Sequence, residues 1–362
     1  MMTRKPYLTL GVMAALAFLV VLSMKPDLGE AGQMVPTYKV LAPISRGNLT
    51  IFPVVADTTH DTRNFLTLDE GVRSGDVVVS EAGSVRPLVR RHGDYLPRDG
   101  AEVNRLVLVN NSDRPLILLA GEIVTGGKQD RVVGKDRIVP PKSDPIDLAV
   151  FCVEPERWVA TKSSFGSFHS QMAQPSVRRS AMADKNQSKV WAEVNSASQT
   201  LGMAASPPAA REMSKTSSYA GVMANEEVKR RVDDVAVPLE QSYLGVMREL
   251  RDRHAVGVVV AVNGRMIWAD IFASTPLLER YWPKLIRSYA AEALTQSKNS
   301  GQPDTKEAQA FLQDFGARHE AAETEPGVFR RTELTGEDFT AFTLTALLPG
   351  TGFDIHVAKM AD

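Results

Sequence analysis

A single cysteine, Cys152, occurs in 362 residues, which excludes an intrachain disulfide and every multi-cysteine zinc site. Histidine is sparse too: six are scattered without short spacing, so neither a metal centre nor any cofactor is expected. No charge sign dominates. Forty-two Lys and Arg oppose 43 Asp and Glu, a net charge of −1, whereas nucleic-acid binders carry a basic surplus. Nucleic acid is therefore not an expected partner. The Gly-x-Gly-x-x-Gly, P-loop, Gly-x-Ser-x-Gly and His-Glu-x-x-His fingerprints are all missing. Dinucleotide enzymes, P-loop ATPases, serine hydrolases and zincins have no foothold here.

What the chain has, first, is an apolar leader. Arg4 and Lys5 precede 19 uncharged residues, Pro6 to Met24, closed by Lys25, Asp27 and Glu30. A spanning helix needs about 20 apolar residues and a cleavable signal about 7–15, so residues 1–25 read as a signal anchor or a signal peptide. The best cleavage site is Gly29-Glu30-Ala31. Basic residues before the run favour a cytoplasmic N-terminus and an exported body. The expected location is the cell envelope: anchored in the membrane through residues 6–24, or released after cleavage. Residues 26–37 form a tether and 38–362 the body.

The body predicts an α+β fold. Residues 38–160 are strand-rich, with apolar runs at Lys39–Ala42, Leu49–Ala56, Asp76–Ser80, Asn104–Asn110, Pro115–Thr125 and Ile146–Val153. The turn Asn111–Pro115 suggests a hairpin between Leu106–Val109 and Leu116–Leu119. In the connector, 161–225, Phe165–Ser180 looks irregular, a helical stripe runs from Val190 to Leu201, and Ala204–Asn225 reads as a long exposed loop. Residues 226–362 read as helix, hairpin, helix: Leu239–Arg253, then Val256–Phe272 turning at Asn263-Gly264, then a helix capped by Ser274 or Thr275 from Pro276. Pro283 predicts a kink or restart. A helix near Lys306–Ala321 and strands Asp338–Leu347 and Gly352–Ala358 complete the chain.

Two polar stretches stand out. In Ala120–Val132, Gly126-Gly127 permits a tight backbone turn, Lys128, Gln129, Asp130 and Arg131 supply donors and acceptors, and Glu122 could serve as acid, base or orienter. The bland reading is a surface turn with local ion pairs. In Phe151–Trp158, Cys152 reads as a buried thiol, Glu154 and Arg157 sit where the strand exits, and Trp158 could stack on a ligand or cover the core. His169 reads as a loop histidine. Lys284 lies at the margin of an apolar helix stripe, reaching a groove or snorkelling. Asp270 is an outward strand residue or a pocket carboxylate, and Arg178-Arg179 a solvated pair.

Taken together, Gly121-Glu122, Gly127-Lys128-Gln129-Asp130-Arg131, Cys152-Val153-Glu154, Arg157-Trp158, Lys189-Val190-Trp191 and Tyr281-Trp282-Pro283-Lys284-Leu285 through Ser288-Tyr289 resemble a bacterial domain of unknown function. This is the ARG and rhodanese-phosphatase-superfamily-associated protein domain, and the resemblance covers about Tyr38 to Leu347. Its name reflects association with ADP-ribosylglycohydrolase and rhodanese-phosphatase proteins. The resemblance implies a setting in ADP-ribose, nucleotide or RNA metabolism and a shared site at Glu122, Lys128, Gln129, Arg131, Glu154 and Arg157. The exported leader, and Asp130 where many relatives are expected to carry Asn, depart from that pattern. The leading expectation is a body that binds a small anionic or polar ligand, or an envelope protein. Alternatives are a metal-independent hydrolase or transferase on a nucleotide, ADP-ribose-like or glycosidic substrate, with a Glu122 or Glu154 base and Lys/Arg charge stabilisation, and a structural envelope component. Whether the chain is an enzyme stays open.

Overall fold

The computed structural model describes residues 37–81, 105–155, 165–166, 171–250, 253–297 and 301–362. The leader, most of the tether, Arg157, Trp158 and His169 lie outside these. Strands β1 (Tyr38–Val40), β2 (Ile44–Arg46) and β3 (Leu49–Ala56) come first, then β4 (Leu66–Thr67), α1 (Leu68–Ser74), β5 (Val77–Glu81), β6 (Arg105–Asn110), β7 (Leu116–Leu118) and β8 (Ile123–Gly126). Next are β9 (Arg131–Val133), β10 (Arg137–Val139), β11 (Ile146–Cys152) and β12 (Phe165–Gly166). The helices α2 (Pro175–Met182), α3 (Gln187–Met203), α4 (Pro207–Met213), α5 (Tyr219–Ala224) and α6 (Glu226–Glu249) follow. The chain closes with β13 (His254–Val262), β14 (Arg265–Phe272), α7 (Thr275–Thr295), α8 (Thr305–Gln313), β15 (His319–Glu325), β16 (Phe329–Thr335), β17 (Phe339–Ala346) and β18 (Asp354–Ala361). The fold is α+β, as the patterning predicts.

A nine-stranded antiparallel sheet runs β1-β3-β13-β14-β18-β17-β16-β15, with β2 also on β3. Its central strands carry unbroken apolar runs because both faces are covered. Ile51, Val258, Val260 and Phe272 pack with α7, while Phe52, Val54, Val259 and Ile271 pack with Ala308 and Leu312 of α8 on the other side. The β13–β14 hairpin turns at Asn263 (φ 54°) and Gly264 (φ 83°), the left-handed pair that an Asn-Gly turn supplies. Helix α7 buries Leu277, Tyr281, Trp282, Leu285, Ile286 and Tyr289, each worth about 1.5–3 kcal/mol for the larger apolar groups. Six strands, β11-β6-β5-β12-β8-β9, close a small barrel, and β10-β7-β4 form a third sheet.

Several expectations are corrected. The strands at Leu106 and Leu116 are not a hairpin: β6 joins the barrel while β7 pairs with β10 and β4. Asn110 Nδ2 donates to Arg114 O (2.8 Å) and Pro140 O (3.0 Å), anchoring the turn as the chain leaves one sheet for the other. The supposed loop Ala204–Asn225 contains α4 and α5, with Tyr219, Ala220 and Val222 buried. Two helices this short show too few apolar repeats to register as periodic. The irregular stretch ends in α2, and the helix predicted for Lys306–Ala321 stops at Gln313, giving way to β15. Helix α7 does not restart at Pro283, and α6 likewise carries Pro238 internally.

Candidate functional site

Lys284 is where the fold concentrates chemistry. The apolar stripe of α7 carries it inward rather than to a margin, and its Nζ donates to Glu122 Oε1 (2.5 Å) and Asp69 Oδ2 (2.7 Å) while lying 4.5 Å from the Tyr281 ring centre. Glu122 reaches this point because Gly121 takes φ +98° and turns the chain between β7 and β8. Its second oxygen accepts Leu119 N–H (2.8 Å). Asp69 sits in the first turn of α1, which Thr67 and Glu70 close as a capping box. One turn earlier on α7, Arg280 Nη1 pairs with Glu70 (3.1 Å), so two ion pairs dock α7 on α1. Burial alone would discharge Lys284, but Glu122 and Asp69 outweigh it and hold the ammonium above its ordinary range. Burial pushes Glu122 upward, the Lys284 charge pulls it down, and repulsion from Asp69 adds to the rise. Two carboxylates share one cation.

Lys284 borders two clefts. One, about 460 Å³, lies among α5, α6 and α7 and is lined by Met172, Tyr219, Met223, Lys229 and Ser288 among others. The second, about 450 Å³, opens toward α1, with Thr67, Arg73 and Arg280 in its wall. Arg287 touches both and pairs with Asp233 (2.8 Å) and Glu240 (3.1 Å) of α6.

Behind Gly121 lies a second buried network. Arg178 of α2 makes a two-pronged pair with Asp270 (2.9 and 3.1 Å) and lies 4.3 Å from the Trp268 ring. His356 bridges Asp136 Oδ2 (2.6 Å) and Asp270 Oδ1 (3.0 Å), and the Tyr289 hydroxyl donates to Asp270. Asp136 also accepts Ala120 N–H (2.7 Å). Burial disfavours a charged imidazole, yet the two carboxylates prevail and His356 is pushed up to about 9. Burial alone would raise Asp136 and Asp270. The facing cations reverse this and hold both below the usual carboxylate range. Ala120-Gly121-Glu122 thus links both networks, Ala120 through its amide and Glu122 through its carboxylate.

The two sequence patches do meet, but not at Glu122. Strands β9 and β11 pair Arg131 with Cys152, Glu154 Oε2 accepts Asp130 N–H (3.0 Å), and Gln129 Nε2 donates to Glu154 O (2.8 Å). Asp130 accepts from Gly126 N–H (3.0 Å) and Ser218 Oγ (2.6 Å). Lys128 N–H donates to Glu81 (2.7 Å), and Arg131 is fully buried. These carboxylates hold backbone turns together, as local ionic structure would. Cys152 is buried, with its thiol pushed up by that burial. Lys284 and Glu122, from separate sequence contexts, prove to be partners.

Arg178 was expected at the surface and is instead fully buried. Asp69, Asp136 and His356 were not expected at any site, and Tyr289 entered only as part of the family resemblance. The available signal was an ionisable residue inside an apolar strand or helix, as at Asp270 within Ile267–Phe272 and His356 within Ile355–Ala358. Among the described residues, no group of three or more His, Cys, Asp or Glu side chains could hold a metal ion.

Comparison with curated proteins and with solved structures finds no match. The family model for the ARG and Rhodanese-Phosphatase-superfamily-associated Protein domain matches residues 37–360. With nearly the whole described body inside that match, the chain belongs to this family of uncharacterised domains.

Proposed function

We propose that the body is a small-ligand receptor whose site is the cleft among α5, α6 and α7, displayed outside the cytoplasm on the N-terminal leader. The observation that carries the reading is a cavity of about 460 Å³ whose lining includes Lys284, the residue that pairs with Glu122. Such a volume lies within the usual range of about 300–1,000 Å³ for ligand pockets. The lining mixes Met172, Met223 and Val232 with Lys229, Ser288 and Gln171, which suits a ligand with an apolar body and polar substituents. The export part of the reading is supported by the 19 uncharged residues behind Arg4 and Lys5. Among the described residues no helix is long and apolar enough to cross a membrane, so the leader is the segment to test.

A thermal-shift panel of nucleosides, amino acids and neutral sugars on the full-length protein tests the cleft. A compound that raises the Tm of wild type but not of Ala224→Trp, which fills the cavity, supports the assignment. Equal stabilisation of both rejects it. Fractionation tests the address: a soluble cytoplasmic pool of the full-length chain would overturn export.

A further inference from the structure

The second cleft bordering Lys284 has a different character. Four cations line it, Arg73, Arg280, Lys284 and Arg287, against the three carboxylates Asp69, Glu70 and Glu240. Each carboxylate already has a cationic partner: Asp69 with Lys284, Glu70 with Arg280, Glu240 with Arg287. Lys284 also serves Glu122 and Arg287 also serves Asp233, so the lining cation left without a carboxylate is Arg73, which is exposed on α1 and makes no hydrogen bond or ion pair among the described residues. Donor capacity is also left over elsewhere. Arg287 spends Nε on Asp233 and Nη1 on Glu240 and Pro283 O, leaving Nη2 unused. Arg280 spends Nη1 on Phe65 O and Glu70 and one Nη2 hydrogen on Thr62 O, leaving Nε unused. Thr67 accepts Glu70 N–H through its hydroxyl oxygen (3.3 Å), and its own hydrogen remains available.

We propose that this cleft is an oxyanion site that takes the phosphoryl group of a small phosphomonoester. Three guanidinium groups with unspent donors, joined by a hydroxyl, match a group with three acceptor oxygens and up to two negative charges better than they match a carboxylate. The cavity, about 450 Å³, leaves room for an organic part beyond the phosphoryl group, so the monoester is the natural occupant rather than free phosphate. The site does not depend on the receptor reading of the neighbouring cleft.

Titration calorimetry on the full-length protein tests this, with glycerol 2-phosphate, inorganic phosphate, sulfate and glycerol as probes at matched ionic strength. The monoester should bind more tightly than inorganic phosphate, and glycerol should not bind. Arg73→Ala leaves the fold intact because Arg73 holds nothing in place. It should weaken monoester binding about tenfold or more, the scale of one charge-assisted contact. Arg73→Lys, which keeps the charge but loses the fork, should fall between. Equal affinity in wild type and Arg73→Ala, or binding of inorganic phosphate in preference to the monoester, overturns the proposal. Ala224→Trp should leave monoester binding unchanged, so the two clefts stand or fall separately.

Discussion

His356 makes the stability of this fold depend on pH, with a definite sign. The imidazole is pushed up to about 9 by Asp136 and Asp270, against 6.5 for the ordinary side chain. A group with a raised folded pKa contributes fully below its unfolded pKa and loses that contribution as pH climbs through the folded value. At roughly 1.36 kcal/mol for each unit of difference, the charged imidazole is worth about 3 kcal/mol at pH 6. About half of that is gone by pH 8 and nearly all above pH 9. Glu122, raised by its burial, also loses stability as pH rises, so the His356→Gln comparison is what isolates the imidazole. His60, lowered by burial, acts below the window from about 6.5 to 8. Lys359, lowered to about 8 by burial, adds stability only as pH rises further. Urea unfolding from pH 6 to pH 9 should show the free energy falling through this window. His356→Gln should flatten the slope and be less stable than wild type at pH 6. A flat wild-type profile, or the same slope in His356→Gln, would refute a charged His356 between two buried carboxylates.

Lys284→Met leaves Glu122 and Asp69 buried without their cation and should cost about 3–5 kcal/mol in urea unfolding. Adding Glu122→Gln should recover part of that, and strict additivity of the two changes would count against the pair. Gly121→Ala should cost about 3 kcal/mol, because the new methyl would lie 2.6 Å from Arg178 Cγ and Gly121 holds φ +98°. Arg178 cannot yield while Asp270 grips it, and a loss below about 1 kcal/mol would show that it can. Cys152, buried with a raised pKa, should react with an aromatic disulfide reagent only as the protein unfolds. Fast labelling in native buffer would contradict that burial.

Patterning along the chain was enough for the central strands of the sheet and for α3 and α7, but not for β15 and β16 at its edge. Val256–Val262, Asn263-Gly264 and Arg265–Phe272 declare a hairpin, since strand alternation and left-handed turn residues are local properties. Pro276 behind Ser274 declares a helix start for the same reason. The resemblance carried on Gly121-Glu122, Gly127–Arg131 and Tyr281–Tyr289 also pointed to the right family. Short helices were harder. In α4 and α5, six or seven residues hold too little periodicity to separate a buried turn of helix from a loop.

What the sequence by itself determined is the α+β class, the central hairpin and the apolar face of α7, each a consequence of spacing between near neighbours. The tertiary structure alone decided that Lys284 meets Glu122, 162 residues away, and that His356 reaches Asp136 across 220. It also decided that Arg178 is buried. A charge in an apolar segment announces a cost, because a lone ion is expensive to take out of water. Which opposite charge offsets that cost is fixed only when the sheet, the barrel and the helices pack together and bring distant carboxylates within hydrogen-bond reach.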